Sequence, residues 1–425
     1  MNLLRRLLDV WPLGPGGMLV LGLSAVGLVR YGVGHRDLVL LVVAGVGLVV
    51  AAIALVAVVG TAVVTWAALR GGGDGAAGAL EREAGVAART GFTVHHPWFV
   101  PFVAVDWTWE SPEVEVVVER DGGRLHERVT PRRRGDHEGI VRRVVVADLF
   151  GISNVAFRVR ERRRARFVPG TGRLEQMQVV QGMAGGDALS HPDGPPAGDR
   201  LDMRRYGDGD PIRFVLWKVF ARTRQLVIRN PENALSPVSQ TVAYLVAGRG
   251  DEAAAGAARV AVRCGALGGD WTFGADGHGE PATTAAGAME LIVRSGHVAP
   301  GAGGEGLARF LAGTGSGTTR RAVVFVPGTP GPWIDRVLAA TRASGRGGTL
   351  DFMVCADDLD RTPVDGPVKR LLLVGAPADA EVRATAAGLR AVVAALGGGG
   401  ARVMLVDRAG GRVLPATALR GRSAG

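Results

Sequence analysis

The sequence predicts an α/β chain in three parts: an N-terminal transmembrane helical hairpin, a small antiparallel β-sandwich and a doubly wound parallel domain. Three observations carry this. Two long uncharged apolar segments open the chain, short β-branched runs separated by turn residues follow, and strand-like and helix-like patterns alternate from Val238 onward.

The hairpin occupies residues 1–70. Leu13–Val29 is rich in glycine and carries no charge, and Leu38–Leu69 is uncharged throughout. About 20 apolar residues span a bilayer, so the second segment is long enough and the first is near the lower limit. The linker RYGVGHRD is too short for anything but an antiparallel return, so both ends of the hairpin lie on one side. A cleavable signal peptide would explain the first segment and leave the second as an anchor. Arg5 and Arg6 precede the hairpin, Arg30 and Arg36 lie in its turn, and Arg70, Arg82 and Arg89 follow. This bias slightly favours both ends inside.

Residues 91–169 read as β. Glu113–Glu119 (EVEVVVE) and Arg142–Ala147 (RRVVVA) are β-branched runs, and Val155–Val159 alternates with period two. Ser111-Pro112, Asp121-Gly122-Gly123 and Arg134-Gly135-Asp136 punctuate them. Arg132, Arg133 and Arg134 read as a solvated turn. Residues 182–198 (GMAGGDALSHPDGPPAG) form a Gly/Pro-rich linker that continues neither helix nor sheet.

Residues 199–420 hold a charged stretch and the last domain. Strands are expected at 242–247, 271–274, 322–326, 350–354, 370–374 and 402–406. Helices are expected at 252–267, 283–295, 332–344 and 378–396. Such alternation implies parallel strands with helices on both faces.

The net charge of +10 does not point to nucleic acid. Only Lys218 and Lys369 are lysines among 50 basic residues, a mixture that GC-rich codon usage produces, and no aromatic residues interleave with basic runs. Cys264 and Cys355 provide neither a disulfide framework nor a zinc set, and both read as buried small hydrophobes. Gly313–Arg320 (GTGSGTTR) lacks the lysine of a phosphate loop, and Gly301–Gly306 (GAGGEG) follows Pro300 rather than a strand. Neither Ser295 nor Ser316 sits in a nucleophile motif, and His95, His96, His278 and His297 form no metal-binding pair. No cofactor is expected.

The densest signal runs from Asp199 to Glu232. It sets Asp199, Asp202, Asp208 and Asp210 against Arg204, Arg205, Arg213, Arg222, Arg224 and Arg229, with Tyr206, Phe214, Trp217 and Phe220 between them. Paired carboxylates and guanidinium groups can clamp a turn onto a domain, and an apolar run such as FVLW suggests that Trp217 is buried beside them. A partner-docking surface is the other binding use. A hydrolytic site around Asp208, Asp210 and Lys218 is the enzymatic alternative.

The pattern Y-x-x-G-D-x-x-R-x-x-x-W-K-x-x-A-R, here Tyr206, Gly209, Asp210, Arg213, Trp217, Lys218, Ala221 and Arg222, resembles the signature of a bacterial membrane-anchored family catalogued as domain of unknown function fifty-eight. Arg132–Ile152, an R-R-G turn followed by a strand ending in D-L-F-G, resembles the same family. The resemblance implies a von Willebrand factor A-like C-terminal domain and a MoxR-type AAA+ ATPase as partner. It also implies a non-catalytic scaffold for assembly or remodelling of protein complexes, in the bacterial cytoplasmic membrane with its soluble part in the cytoplasm. A metal-binding von Willebrand factor A domain carries D-x-S-x-S after its first strand. Here Ala247 stands at the Asp position, Arg249 at the first Ser and Asp251 at the second, so no metal is expected.

Overall fold

The structure is a computed structural model. It describes residues 9, 11–34, 37–71, 78–95, 100–174, 189–190, 202–205, 207, 216–230, 234–235, 240–299, 301–314, 320–344, 350–357, 385–398 and 401–415. The chain is a mixed α/β protein that divides into two units, Met1–Val168 and Pro169–Gly425.

The first unit begins with helix α1, Pro15–Val26, which has proline in its first turn and continues as a wider π-helical turn over Gly27–Val33. Helix α2 follows, Leu38–Gly71, and among the described residues it is the helix long and apolar enough to cross a membrane. The two helices pack through small residues. A Cβ on Gly47 would lie 2.3 Å from Ser24 Oγ, and one on Gly27 would lie 3.4 Å from Ala44 Cβ. Small residues at such contacts let helix backbones approach closely.

The β region comprises β1 (Leu80–Glu83), β2 (Ala88–His95), β3 (Val103–Ser111), β4 (Val114–Asp121), β5 (Arg124–Pro131), β6 (Gly135–His137), β7 (Ile140–Asp148), β8 (Asn154–Glu161) and β9 (Ala165–Val168). Two three-stranded antiparallel sheets, ordered β2-β5-β4 and β3-β7-β8, share a core, and a third sheet orders β1-β9-β6. Strict alternation along β3 turns Val103, Val105, Trp107 and Trp109 inward. The C-terminal part of α2 joins this core, with Val58 and Ala62 buried among Val94, Val103, Trp107 and Val144. The β region therefore starts at Leu80, ahead of the expected Gly91. The segment LERE has one buried apolar residue and no readable period; its parallel pairing with β9 makes it a strand.

Arg134 corrects the solvated-turn reading. It is 2% exposed, whereas Arg133 is exposed and Arg132 intermediate. A second arginine, Arg142 on β7, is also fully buried, and its Nε and Nη2 donate to Glu127 at 2.7 and 2.9 Å. Glu127 also accepts from Trp107 Nε1 at 2.8 Å, Trp109 Nε1 at 2.7 Å and Thr90 Oγ1 at 2.6 Å. Glu161 takes Arg142 Nη1 at 2.5 Å, and the guanidinium lies 4.1 Å from the Phe92 ring centroid. Burial disfavours the charge on Arg142, but Glu127 and Glu161 outweigh it and hold the proton more firmly than usual.

The second unit is built on a six-stranded sheet: β14 (Gln240–Leu245), β15 (Trp271–Ala275), β16 (Arg320–Pro327), β17 (Leu350–Ala356), β18 (Arg402–Asp407) and β19 (Arg412–Pro415). They run in the order β15-β14-β16-β17-β18-β19. All pairings are parallel except that of the edge strand β19. One face packs against α4 (Glu252–Arg263) and α5 (Ala285–Arg294). The other packs against α6 (Leu307–Gly313), α7 (Trp333–Ser344) and α8 (Ala386–Gly397). Burial on both sides explains the long apolar runs, such as FMVCA in the fully buried β17. Thr284 and Thr385 cap α5 and α8 by accepting the amides of Gly287 and Gly388. The strand expected at 370–374 and the start of the helix expected at 378 lie outside the described residues. Cys355 is buried, and burial pushes its thiol pKa up; Cys264, at the end of α4, is exposed, against expectation.

Two short pairings precede the sheet in sequence. Residues Leu189–Ser190 (β10), within the expected linker, pair with Ala234–Leu235 (β13). Strands Asp202–Arg205 (β11) and Val227–Asn230 (β12) pair antiparallel, and helix α3, Trp217–Thr223, lies between them in sequence.

Candidate functional site: the signature helix and the carboxyl edge of the sheet

The signature divides at the limit of what is described. Tyr206, Asp208, Gly209, Asp210 and Arg213 lie outside the described residues, so the expected aspartate–arginine clamp and the acidic pair of the hydrolytic alternative have no geometry here. Trp217, Lys218, Ala221 and Arg222 are on α3. Positions 217 and 221, and 218 and 222, are each one turn apart, so the spacing W-K-x-x-A-R puts all four on adjoining rows of one face. That face is solvent-exposed, and α3 has no buried residue.

Trp217 is 57% exposed, which corrects its expected burial. Its ring meets Phe220 edge-on, with centroids 6.2 Å apart. Val219 and Phe220 are the half-buried side of the helix, so the apolar run FVLW turns its tryptophan outward. The backbone around this face is fixed. Leu216 N donates to Val227 O at 2.9 Å, and Arg224 ends the helix in the left-handed region, φ 56°, with its amide on Phe220 O.

Ligands of doubly wound sheets bind at the carboxyl ends of the strands, where the order reverses, here between β14 and β16. Ala247 is buried there and Arg249 is exposed. The carbonyl of Arg249 accepts Thr329 Oγ1 after β16, and Asp251 is buried and accepts Gly248 N at 3.0 Å. Two further aspartates along this edge hold protein partners. Asp276, after β15, accepts Tyr244 Oη at 2.8 Å, Ala247 N at 2.9 Å, Gly304 N at 2.6 Å and Gly306 N at 3.2 Å. Burial pushes Asp276 up despite these four donors, and burial together with Asp276 pushes the Tyr244 phenol up. Asp357 is clasped by Arg408 through two bonds of 2.8 and 2.6 Å. Among the described residues, no group of three or more His, Cys, Asp or Glu is placed to hold a metal ion.

The Asp276 hub was not anticipated from sequence. Its one visible trace is an aspartate directly after a buried strand, in FGADG.

No family model matches the chain, and no curated protein matches it. Among solved structures it is similar to the titin M3 domain at 11% identity, over 21% of this chain and 88% of that one, with a TM-score of 0.14. A likeness of that size carries no argument about fold or function.

Proposed function

We propose that this chain is a membrane-anchored, non-catalytic scaffold that recruits a partner protein through the exposed face of α3. The helical hairpin fixes it in the bilayer of a bacterial cytoplasmic membrane, with both soluble regions in the cytoplasm. The parallel domain serves as a von Willebrand factor A-like interaction domain. The family resemblance of the signature names the partner class, a MoxR-type AAA+ ATPase, and the work as assembly or remodelling of protein complexes.

The observation that carries the reading is the outward face of α3. A tryptophan more than half exposed, with Lys218 and Arg222 on the same face, has the composition of a binding hot spot for an acidic, partly apolar surface. A structural clamp would bury that ring. The carboxyl edge of the sheet supports the non-catalytic part, because Asp251, Asp276, Asp357 and Asp407 there accept protein hydrogen bonds.

The test is recovery of the tagged full-length chain from native membranes with identification of what accompanies it. An AAA+ ATPase that is retained by a Glu138→Ala control and lost on Trp217→Ala supports the proposal. Equal recovery with both variants overturns it.

A further inference from the structure

We propose that the end of the β-sandwich nearest the start of α1 is a membrane-interface wedge, formed by Phe102, Leu149 and Phe150 together with Trp11, that seats in the headgroup layer. This rests on the reading of the hairpin as membrane-spanning and adds a second, non-helical contact with lipid.

The level of the bilayer follows from the packing of the two helices. Gly47 faces Ser24, Gly27 faces Ala44 and Gly32 faces Leu41, each at close approach. Continued by whole turns, this antiparallel register sets Gly14 level with about Ala57. Ala57 is also where α2 begins to pack on the sandwich core, through Ala57, Val58 and Ala62. The stretch Leu38–Ala57 that precedes this contact is about 30 Å long at 1.5 Å per residue, the thickness of a hydrocarbon core. One face of the bilayer therefore falls at the start of α1.

The turn between β7 and β8 sits at that level. Gly14 N donates to Ile152 O at 3.0 Å, Asn154 N to Pro12 O at 3.1 Å and Ser153 Oγ to Pro12 O at 2.6 Å. A Cβ on Gly17 would lie 2.0 Å from Ile152 O, so only glycine admits this approach. Asp9, just ahead, is held by Arg143 Nη2 at 2.6 Å and Arg158 Nη2 at 2.9 Å.

The side chains this turn presents are the wrong ones for water. Leu149 is 69% exposed, Phe150 66%, Phe102 59% and Trp11 53%. Phe102 and Phe150 touch, with ring centroids 5.6 Å apart, and Leu149 N donates to Phe102 O at 2.9 Å. Phe102 holds a left-handed φ of 65°, costly for an aromatic residue. Asp148 stiffens the turn by accepting Phe150 N at 2.7 Å, Ile152 N at 3.3 Å and Ser153 N. A rigid turn that holds aromatic and leucine side chains outward, at the depth where a span ends, matches the aromatic belt of membrane proteins. Lipid is the occupant this favours, because the patch is continuous with the helix pair.

The experiment uses the full-length chain with Cys264→Ser, reconstituted into phosphatidylcholine/phosphatidylglycerol vesicles. Single cysteines carry an environment-sensitive fluorophore at Phe150→Cys, at Glu138→Cys and at Val46→Cys. Glu138 precedes Ile140, the end of β7 that lies eight residues or about 27 Å along the strand from Asp148 at the wedge. Doxyl lipids labelled near the headgroup or deep in the chain serve as quenchers. The proposal predicts that position 150 is quenched best by the shallow lipid, position 46 best by the deep lipid, and position 138 by neither. Quenching at 46 without quenching at 150 overturns the wedge and leaves the hairpin reading intact. No quenching at 46 overturns the hairpin reading itself. A blue-shifted but unquenched label at 150 assigns the patch to protein and overturns lipid as its occupant.

Discussion

Replacing Glu127 by glutamine should unfold the β-sandwich at a much lower temperature. The carboxylate is fully buried and takes five donors: three on Oε2 from Trp107, Trp109 and Arg142, and two on Oε1 from Thr90 and Arg142. Glutamine keeps one acceptor oxygen and turns the other into a donor. Its least costly orientation points the amide NH2 toward Thr90, whose hydroxyl can rotate to accept it, but Arg142 Nη2 then faces a donor. The guanidinium also loses the more deeply buried of its two charge partners while remaining buried. Stranding a buried charge costs about 3–5 kcal/mol, and the surviving bond to Glu161 favours the lower end. A domain of this size loses about 4–8 °C per kcal/mol, so a cost near 3 kcal/mol corresponds to roughly 12–24 °C. Glu127→Met/Arg142→Met removes both charges, yet leaves two indole N–H groups without an acceptor at about 1–3 kcal/mol each. It should remain destabilised, by less than the sum of the single variants. Scanning fluorimetry of the full chain in detergent reads the midpoint, and hydrogen exchange of peptides covering β3 localises the change. An unchanged midpoint with undiminished protection of β3 would refute the reasoning.

Other substitutions test separate parts of the account. Tyr244→Phe removes one of four donors to Asp276 and should cost about 1 kcal/mol; Asp276→Asn sets an amide among backbone donors and should cost more, in the same denaturation assay. Gly17→Ala forces a Cβ into the Ile152 carbonyl and should detach α1 from the β7–β8 turn at about 1–3 kcal/mol, seen as faster exchange at Asn154. Asp9 has a depressed pKa: burial pushes it up, but Arg143 and Arg158 more than offset this. Its contribution is therefore present above the ordinary carboxylate range and is lost as pH falls through the folded value. Protection of Ser153 and Asn154 should drop on acidification in the native chain and be weak at every pH in Asp9→Asn.

Legibility in the sequence followed the strength of local patterns. The parallel sheet was readable because its strands are buried on both faces and carry apolar runs, such as AVVFV in β16 and FMVCA in β17. Strand β3 was not singled out, although Val103, Val105, Trp107 and Trp109 alternate with exposed residues, because its acidic and aromatic residues hid the β-branched signal sought there. Strands β1 and β9 owe their existence to pairing across 85 residues, from Leu80 to Ala165, which no local pattern reports. Buried Arg134 defeated the rule that arginine runs are solvated, and the carboxylates that hold buried Arg142 come from β5 and β8, which no local pattern reports. The spacing of Trp217, Lys218, Ala221 and Arg222 fits one helical face, but no helix was expected there. Composition could not say which way that face points: FVLW reads as core, and only the half-burial of Val219 and Phe220 turns the tryptophan outward.

The central claim is that this outward face binds a partner. The most direct measurement is the affinity of the solubilised full-length chain for a purified MoxR-type ATPase from the same cell, with and without Trp217→Ala. The exposed ring contributes little to folding, so the variant should melt within about 0.5 kcal/mol of the native chain. A hot-spot tryptophan carries at least about 2 kcal/mol of binding, so Kd should rise roughly 30-fold or more. An unchanged Kd, or a variant that fails to fold, would contradict the account.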